Sequence, residues 1–319
     1  MRATRAKRVR ASASAVFQGW RLPWLLLVPS LLILLVFLYY PVIQSFVLSL
    51  YRSNLFLGTQ SFIGLENFRN ILGGVLAPIF RQVFLQTLLF SAVVVIGGLA
   101  VSMALALLAN RKIRGARVYR LLLIWPFALS PAVAGTIFLF MLNPEVGVVN
   151  QLLNALAGIK PRWLDNPALA FLVVSGVAIW KNLGYNIVFY LAALQNVPSE
   201  LSEAAQIDGA NRLQKLRYIT LPMLGPMTFF LVFTNLVYSF FDTFGLIDIL
   251  TAGGPIGTAP FNNAGVTSTL IYKIYQDGFG GAANLGFAAA QSVILLMLVV
   301  LVTLLQFRFG GRRIYYGGA

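Results

Sequence analysis

Six long apolar runs constrain this chain more than any other feature of its sequence. A helix needs roughly 20 apolar residues to cross a bilayer, and each run is long enough. The runs do not alternate between apolar and polar residues, as the strands of a membrane β-barrel would. They predict an all-α integral membrane protein with six transmembrane helices. The expected spans are Trp24–Leu50, Gln82–Asn110, Leu121–Leu142, Ala168–Val197, Met223–Ile247 and Leu285–Phe307.

Composition excludes several classes of protein. Hydrophobic residues make up 59% of the chain and charged residues 10%, whereas soluble domains are about 25% charged. The chain contains no cysteine and no histidine, which excludes disulfides, thiolate metal sites and His-dependent catalytic triads. No lysine follows a glycine, so the Walker A phosphate loop is absent. The sequence therefore predicts no catalytic residue, no metal site and no ATP hydrolysis by this chain.

The distribution of positive charge predicts how the chain is oriented in the membrane. Seventeen of its 24 lysines and arginines lie in the two terminal tails, the loop 111–120 and the loop 198–222, and six lie in the other three loops. The excess marks the cytoplasmic side, so we expect both termini to be cytoplasmic. The net charge of +15 follows this pattern, which favours anionic membrane lipids rather than nucleic acid as partners. We expect a tail at 1–23, one six-span domain at 24–307 and a tail at 308–319.

The third apolar run contains two prolines. Pro126 and Pro131 each remove a backbone hydrogen-bond donor, so this run is not expected to form one straight helix. Further along, the stretch "GVVNQLLNALAG" has apolar residues at helical spacing and predicts a short helix at the outer membrane interface.

The cytoplasmic loop 198–222 is polar and predicts a hairpin of two short helices. Ser199 is a candidate N-cap for the first helix. Gly209 suits the turn between the helices, since glycine adopts positive φ without steric cost. Pro222 is expected to start the fifth span. The small residues before Gly209 leave a smooth face, which suits docking in a groove of a soluble partner.

Within this loop a Glu-Ala-Ala triplet is followed by three residues, a glycine, nine residues and Ile-x-Leu-Pro. This spacing resembles the EAA loop of permease subunits in bacterial ABC importers. The resemblance extends over residues 20–309 and includes "FFDTFGLIDILTAGGP" and "TSTLIYKIYQDGF", which look like segments of carbohydrate-type permeases. It implies a six-span type I importer permease fold in the bacterial inner membrane. The residues it assigns to coupling with an ATPase are Glu203, Ala204, Ala205, Asp208, Gly209, Ile219, Leu221 and Pro222.

The resemblance also implies a set of partners. They are a homologous second permease, two copies of a cytoplasmic ABC ATPase and an extracytoplasmic substrate-binding protein. ATP and magnesium would be bound by the ATPase, and this chain would bind no cofactor. The stretches "NLVYSFFDTF" and "AAQSVILLMLVVLVTLLQFR" are similar to those of permeases for sn-glycerol-3-phosphate. The alternative cargo is a neutral mono- or disaccharide.

Two ionisable residues, Lys181 and Asp242, lie inside the expected fourth and fifth spans. A charge at the bilayer centre costs at least about 2.5 kcal/mol, so such residues are functional candidates. They either form a permanent ion pair between spans, or Lys181 faces a cavity and attracts an anionic substrate. Similar permeases line the substrate path with the facing parts of these spans. The expected path residues are Lys181, Asn182, Tyr185, Asn186, Asn235, Tyr238, Ser239, Asp242 and Thr243.

Two other classes of membrane protein fit the sequence less well. An ion-driven secondary transporter often shows inverted repeats and intramembrane carboxylates, but this chain has one such carboxylate, Asp242, and no visible repeat. An intramembrane enzyme would need catalytic His, Cys or paired carboxylates in its spans. Neither class explains the spacing of the EAA loop.

Overall fold

The computed structural model describes residues 21–110, 115–281 and 283–310, which are largely helical. Most of the predicted N-terminal tail 1–23, part of the loop 111–120 and residues 311–319 of the C-terminal tail lie outside the described residues. The described chain divides between Val47 and Leu48 into two compact units. The expectation of a single six-span domain at 24–307 stays a prediction.

The first unit contains the first expected span. Helix α1 (Arg21–Leu34) continues through a π-helical turn at Leu35–Tyr39 into α2 (Tyr40–Leu48). The segment Pro23–Leu48 is long and apolar enough to cross a membrane. This confirms the predicted helix at Trp24–Leu50, apart from the last two residues, which form a turn.

The second unit begins with a small antiparallel hairpin. Strand β1 (Tyr51–Asn54) pairs with β2 (Thr59–Phe62), and Tyr51 lies opposite Phe62. All other regular elements of the described chain are helices. In chain order the α-helices are α3 (Glu66–Leu72), α4 (Ala77–Ala109), α5 (Ala116–Ile124), α6 (Pro131–Met141), α7 (Val148–Ala157), α8 (Pro167–Gln195), α9 (Ser199–Ile207), α10 (Arg212–Lys215), α11 (Leu221–Met223), α12 (Gly225–Val237), α13 (Phe244–Thr251), α14 (Leu270–Phe279) and α15 (Leu285–Gly310).

Within the described residues, four helices are each long and apolar enough to span a membrane, and two bent pairs bring the number to six. The prediction of six helical spans is thereby confirmed, and the orientation of the termini stays a prediction. The four single helices are Pro23–Leu48, Ala77–Ala109, Pro167–Gln195 and Leu285–Arg308, and the bent pairs are Val118–Ala128 with Pro131–Met141 and Arg212–Met223 with Gly225–Asp242.

The third span is broken where its prolines predicted. Its two helical parts, Val118–Ala128 and Pro131–Met141, meet at 103°, and the first part ends in a 3-10 turn, Trp125–Ala128. Leu129 is extended, and the Ser130 side chain then caps α6 by accepting a hydrogen bond from the Val133 amide at 3.3 Å. Because proline cannot donate to the helical ladder, the backbone leaves helical geometry between the two prolines.

The fifth span departs from the single run expected at Met223–Ile247. The chain bends by 64° at Leu224, between Pro222 and Pro226. Pro222 therefore does not start the span, as the sequence had suggested, but lies just before the bend. A π-helical turn at Tyr238–Asp242 then separates α12 from α13. The sequence analysis missed this turn, because local patterns do not distinguish a π turn from an α-helix.

Helices α4 and α8 form the centre of the second unit. Phe90 and Val94 of α4 belong to one buried apolar cluster with Val174 and Val177 of α8. A second cluster joins the same two helices to α12 and includes Leu231. The fully buried contacts of α8 hold it in place, and the predicted substrate-path residues of the fourth span are all on this helix.

Candidate functional site

The polar loop folds into the predicted hairpin of two helices. Helix α9 ends before Gly209, which has a φ of 82° and makes the turn in the left-handed region. Ser199 is the first residue of α9 rather than its N-cap, because the extended residue before the helix is Pro198. The second helix has a capping box that the sequence analysis missed, in which Asn211 and Gln214 each bind the other's backbone amide.

Hydrogen bonds hold the two helices of the hairpin together. The Ala210 amide donates to the Ala205 carbonyl at 2.8 Å, and the Lys215 ammonium donates to Gln206 Oε1 at 3.1 Å. The first bond closes the C-terminal end of α9, and the second links α10 to α9. Of the coupling residues, Ala205 and Ile219 are half-buried, and the others are exposed: Glu203, Ala204, Asp208, Gly209, Leu221 and Pro222.

Five large apolar or aromatic side chains of the hairpin are exposed, three of them strongly. Ile207 is 87% exposed, Leu213 71% and Tyr218 70%. A bound partner would remove these side chains from water. The hairpin thus combines exposed apolar side chains with an acidic first helix.

Lys181 lies at the centre of the second candidate site. Its side chain on α8 is 5% exposed, and its Nζ is 3.6 Å from Asp242 Oδ2. The Asp242 side chain is 55% exposed. The π-helical turn carries Asp242, and such turns often occur at functional sites because they redirect side chains. Lys181 and Asp242 thus form the expected pair, with one partner buried and the other open.

Two aromatic rings complete the surroundings of the Lys181 ammonium. Its Nζ is 5.4 Å from the centroid of Tyr238 and 5.7 Å from that of Phe127. The electron-rich faces of such rings attract a cation at this range. Tyr238 is buried, and its hydroxyl donates to the Ala178 carbonyl at 3.2 Å. The two rings supply part of the compensation that a buried charge requires, and the carboxylate adds less because water screens it.

A cavity of about 260 Å³ opens beside this cluster. Its aromatic wall includes Phe127 and Tyr185, whose ring centroids are 5.4 Å apart. A concave pocket with apolar walls and a few polar groups is the usual form of a small-molecule site. The lining residues are Phe127, Asn182, Tyr185, Thr234, Val237, Tyr238, Phe241 and Asp242.

Three buried asparagines join α8 to α12 beneath the cavity. Asn235 Oδ1 accepts from Asn182 Nδ2 at 2.8 Å and from Asn186 Nδ2 at 3.0 Å. Asn235 Nδ2 donates to Asn186 Oδ1 at 2.7 Å and to the Leu231 carbonyl at 2.8 Å. Asn186 and Asn235 therefore hold the two helices together, while Asn182 also lines the cavity.

Five of the nine expected path residues do not line this cavity, namely Lys181, Asn186, Asn235, Ser239 and Thr243. Ser239 and Thr243 are fully buried. Their hydroxyls donate to backbone carbonyls of their own turn, Ser239 to Leu236 at 2.9 Å and Thr243 to Ser239 at 3.1 Å. Both hydroxyl groups are therefore satisfied locally in this structure, and their assignment to the substrate path stays a prediction.

The sequence analysis missed some residues that line the cavity. Thr234, Val237 and Phe241 recur at helical spacing with Tyr238, so the face of the fifth span could have been extended from that residue. Phe127 comes from the third span. Its position between Pro126 and Pro131 was the available signal, since a helix break inside a membrane needs a cavity or protein around it.

Metal-ligating side chains are not clustered in the described residues as a metal site requires. Within residues 21–110, 115–281 and 283–310, no group of three or more His, Cys, Asp or Glu side chains could hold a metal ion.

Comparison with known proteins gives one family. The profile of the binding-protein-dependent transport system inner membrane component matches residues 96–314. The sn-glycerol-3-phosphate transport system permease protein UgpA of Pectobacterium atrosepticum is 41% identical, over 96% of this chain and 99% of that protein. The UgpA protein of Agrobacterium fabrum is 40% identical, over 95% and 99%.

Solved structures show the same fold. A bacterial ABC transporter involved in the import of the acidic polysaccharide alginate matches with a TM-score of 0.76 and 24% identity, over 92% of this chain and 96% of that chain. The alginate ABC transporter in complex with an alginate pentasaccharide-bound periplasmic protein matches with a TM-score of 0.73 and 23% identity, over 94% and 96%.

Proposed function

This chain belongs to the family of binding-protein-dependent transport system inner membrane components, and on this premise we propose that it is the permease subunit of an ATP-driven importer of sn-glycerol-3-phosphate. Family membership makes it a multi-pass protein of the bacterial inner membrane. The substrate is proposed from the UgpA relatives, which are about 40% identical over nearly their whole length. The chain itself is proposed to be non-catalytic.

The observation that carries the choice of an anionic substrate is the buried ammonium of Lys181. Its only carboxylate partner among the described residues, Asp242, lies 3.6 Å away and is half exposed. An ammonium donates three hydrogen bonds, and a phosphate offers several strong acceptor oxygens. In this proposal the phosphate of the substrate binds Lys181, and hydroxyl groups of the substrate meet Asn182 and Tyr185 in the same cavity.

The proposed assembly contains the partners that the EAA loop implied. This chain pairs with a homologous permease, and each permease docks its hairpin on one of two ATPase subunits. A substrate-binding protein delivers the substrate from outside. ATP and magnesium bind the ATPase, whose closure moves the hairpins and opens the permease pair outward. The exposed Ile207, Leu213 and Tyr218 support this docking role, since an ATPase groove would cover them.

A neutral sugar is the second candidate substrate. The aromatic wall formed by Phe127, Tyr185 and Tyr238 favours it, because sugar rings also pack against aromatic faces. This alternative would leave Lys181 as a structural partner of Asp242. The two candidates differ in whether the charge of Lys181 matters for transport.

The test is ATP hydrolysis and uptake by the reconstituted complex of the four kinds of subunit, with either sn-glycerol-3-phosphate or maltose added. We expect stimulation by glycerol-3-phosphate only. In Lys181→Met, which keeps the length of the side chain, uptake should fall about tenfold or more, as expected for losing a charged hydrogen bond. Lys160→Met is the matched control, because Lys160 is exposed in a loop. Stimulation by maltose alone, or normal uptake by Lys181→Met, would overturn the anionic assignment.

A further inference from the structure

We propose that Phe127 determines the specificity of this cavity by controlling the access of an anionic group to the Lys181 ammonium. The proposal rests on the proposed function, because it concerns the same cavity and the same class of substrate. Phe127 lies on the third span, outside the two spans from which the path residues were expected. It covers the ammonium from the side of the break in that span.

The break places the Phe127 ring at the cavity. Phe127 lies in the 3-10 turn Trp125–Ala128, which continues directly from α5 and ends the first of two helical parts that meet at 103°. Its side chain is 43% exposed and lines the cavity. The same ring is 5.7 Å from Lys181 Nζ and packs against Tyr185 at 5.4 Å between centroids. The Phe127 ring therefore lines the open cavity and also lies beside the almost fully buried side chain of Lys181.

The upstream end of this turn is fixed against α8. Gly184 faces Ile124, the last residue of α5, and a Cβ at position 184 would lie 2.6 Å from the Ile124 carbonyl oxygen and 2.8 Å from its Cα. Only glycine allows so close a backbone approach. Because Gly184 lies one helical turn from Lys181, this contact sets the position of the Phe127 ring relative to the ammonium.

The three groups known to lie at the ammonium differ in how they would admit an anion. Tyr238 is buried and held by its hydrogen bond to Ala178. On the side of Asp242, an incoming anion meets a negative charge, which repels it. The Phe127 ring is uncharged and 43% exposed. In this proposal an anion therefore reaches the ammonium by displacing the Phe127 ring.

Displacement of the ring favours anions over neutral ligands. A phosphate that replaces the ring exchanges a cation–π contact for a charge-assisted hydrogen bond, which is stronger. A neutral hydroxyl gains much less from the same exchange, so it leaves the ring in place. Rotation of one exposed aromatic side chain is enough for the displacement, and the backbone of the turn stays fixed.

The absence of cysteine from this chain allows a direct test. Lys181→Cys introduces its only thiol, and the rate of its reaction with a negatively charged alkyl thiosulfonate reports access to position 181. The reaction is followed by the mass of this chain in vesicles that contain the full set of subunits. Adding Phe127→Ala should raise the rate about tenfold, because the variant lacks the side chain proposed to cover position 181. Adding Phe241→Ala is the matched control, because Phe241 is 41% exposed and lines the same cavity.

Reagents of opposite charge distinguish the two routes to position 181, one past Phe127 and one past Asp242. Phe127→Ala should accelerate negatively and positively charged reagents alike, because it removes a steric barrier. Asp242→Asn should accelerate only the negatively charged reagent. Equal rates in the Phe127→Ala and Phe241→Ala variants would overturn the proposal.

A second variant keeps the test decisive if Phe127→Ala does not assemble. Phe127→Leu has a smaller side chain, which covers position 181 less completely, so it should give an intermediate rate. A rate for Phe127→Leu equal to that with Phe127 present would then count against the proposal. The labelling requires no substrate, so failure of the glycerol-3-phosphate assignment would appear in the ATPase experiment and leave the labelling result unchanged.

Discussion

Lys181 and Asp242 differ in their surroundings, and this difference assigns them different roles. The Lys181 side chain is 5% exposed and lies between two aromatic rings, whereas that of Asp242 is 55% exposed. A buried charge without partners is costly, but a half-exposed carboxylate at 3.6 Å contributes little because water screens it. The buried charge of Lys181 is therefore stabilised less by Asp242 than it would be by a fully buried carboxylate.

We predict that Asp242→Asn leaves the stability of the complex nearly unchanged. The loss should be below about 1 kcal/mol, the value typical of exposed ion pairs. Uptake of the anionic substrate should be maintained or increased, since a repelling charge is removed. The measurements are the melting temperature of the purified complex and the initial rate of uptake. Asp165→Asn, which removes the exposed pair with Arg162, provides the control. A loss of about 3 kcal/mol or more, as for a broken buried pair, would instead make the pair a structural clamp.

Sequence reasoning at the residue scale found charged and amide side chains better than aromatic ones. Lys181 and Asn182 stand out because polar groups are rare in an apolar run, and both lie at the site. Phe127 carries no such mark, since phenylalanine is common in spans. Ser239 has the right chemistry, but its orientation depends on the π-helical turn, which the sequence analysis did not predict.

At the scale of elements, the break in the third span is the feature that brings a third helix to the site. Pro126 and Pro131 explain why the helix breaks, but they do not determine where the turn packs. That depends on Gly184 in another span, whose missing side chain admits the Ile124 backbone. Local sequence patterns do not encode contacts of this kind between distant segments. The sequence therefore predicted that the third span breaks, but not where the turn packs.

We predict that Gly184→Ala displaces the broken span. The new methyl group would meet backbone atoms that cannot move cheaply, and such overpacking costs about 1–3 kcal/mol. The Phe127 ring should move away from position 181, so the Lys181→Cys thiol should react faster. The measurements are the melting temperature and the labelling rate.

The same helix supplies the control for this prediction. Gly176 of α8 has no atom within 4 Å of its added Cβ, so Gly176→Ala should leave both quantities unchanged. If Gly184→Ala and Gly176→Ala give the same melting temperature and the same labelling rate, the Gly184 contact does not position the turn.

At the scale of the whole molecule, one stretch of chain connects the hairpin to the cavity. Residues 212–242 run from the second hairpin helix through the π-helical turn at Leu216–Thr220 and the bend at Leu224 to α12. Helix α12 carries Asn235, and the stretch ends at Asp242. A movement of the hairpin therefore has a direct covalent path to the site, with two irregular points at which the helix direction can change.

The final prediction concerns the surface by which the hairpin would bind an ATPase. Ile207 is 87% exposed at the end of α9, so Ile207→Ser should change the free energy of unfolding by about 0.5 kcal/mol or less. Burial of this side chain by an ATPase would contribute about 1.5–3 kcal/mol, so its loss should weaken capture of the ATPase at least about tenfold. The measurements are the ATPase retained on the purified permease pair and the ATP hydrolysed per substrate imported.

Leu156→Ser is the matched control for Ile207→Ser, because Leu156 is 76% exposed on α7, away from the hairpin. It should leave capture of the ATPase unchanged. If both variants retain the ATPase equally and hydrolyse the same amount of ATP per substrate, Ile207 is not part of the docking surface. If Ile207→Ser retains the ATPase but hydrolyses more ATP per substrate, the hairpin still docks, and Ile207 acts in transmitting the movement along residues 212–242.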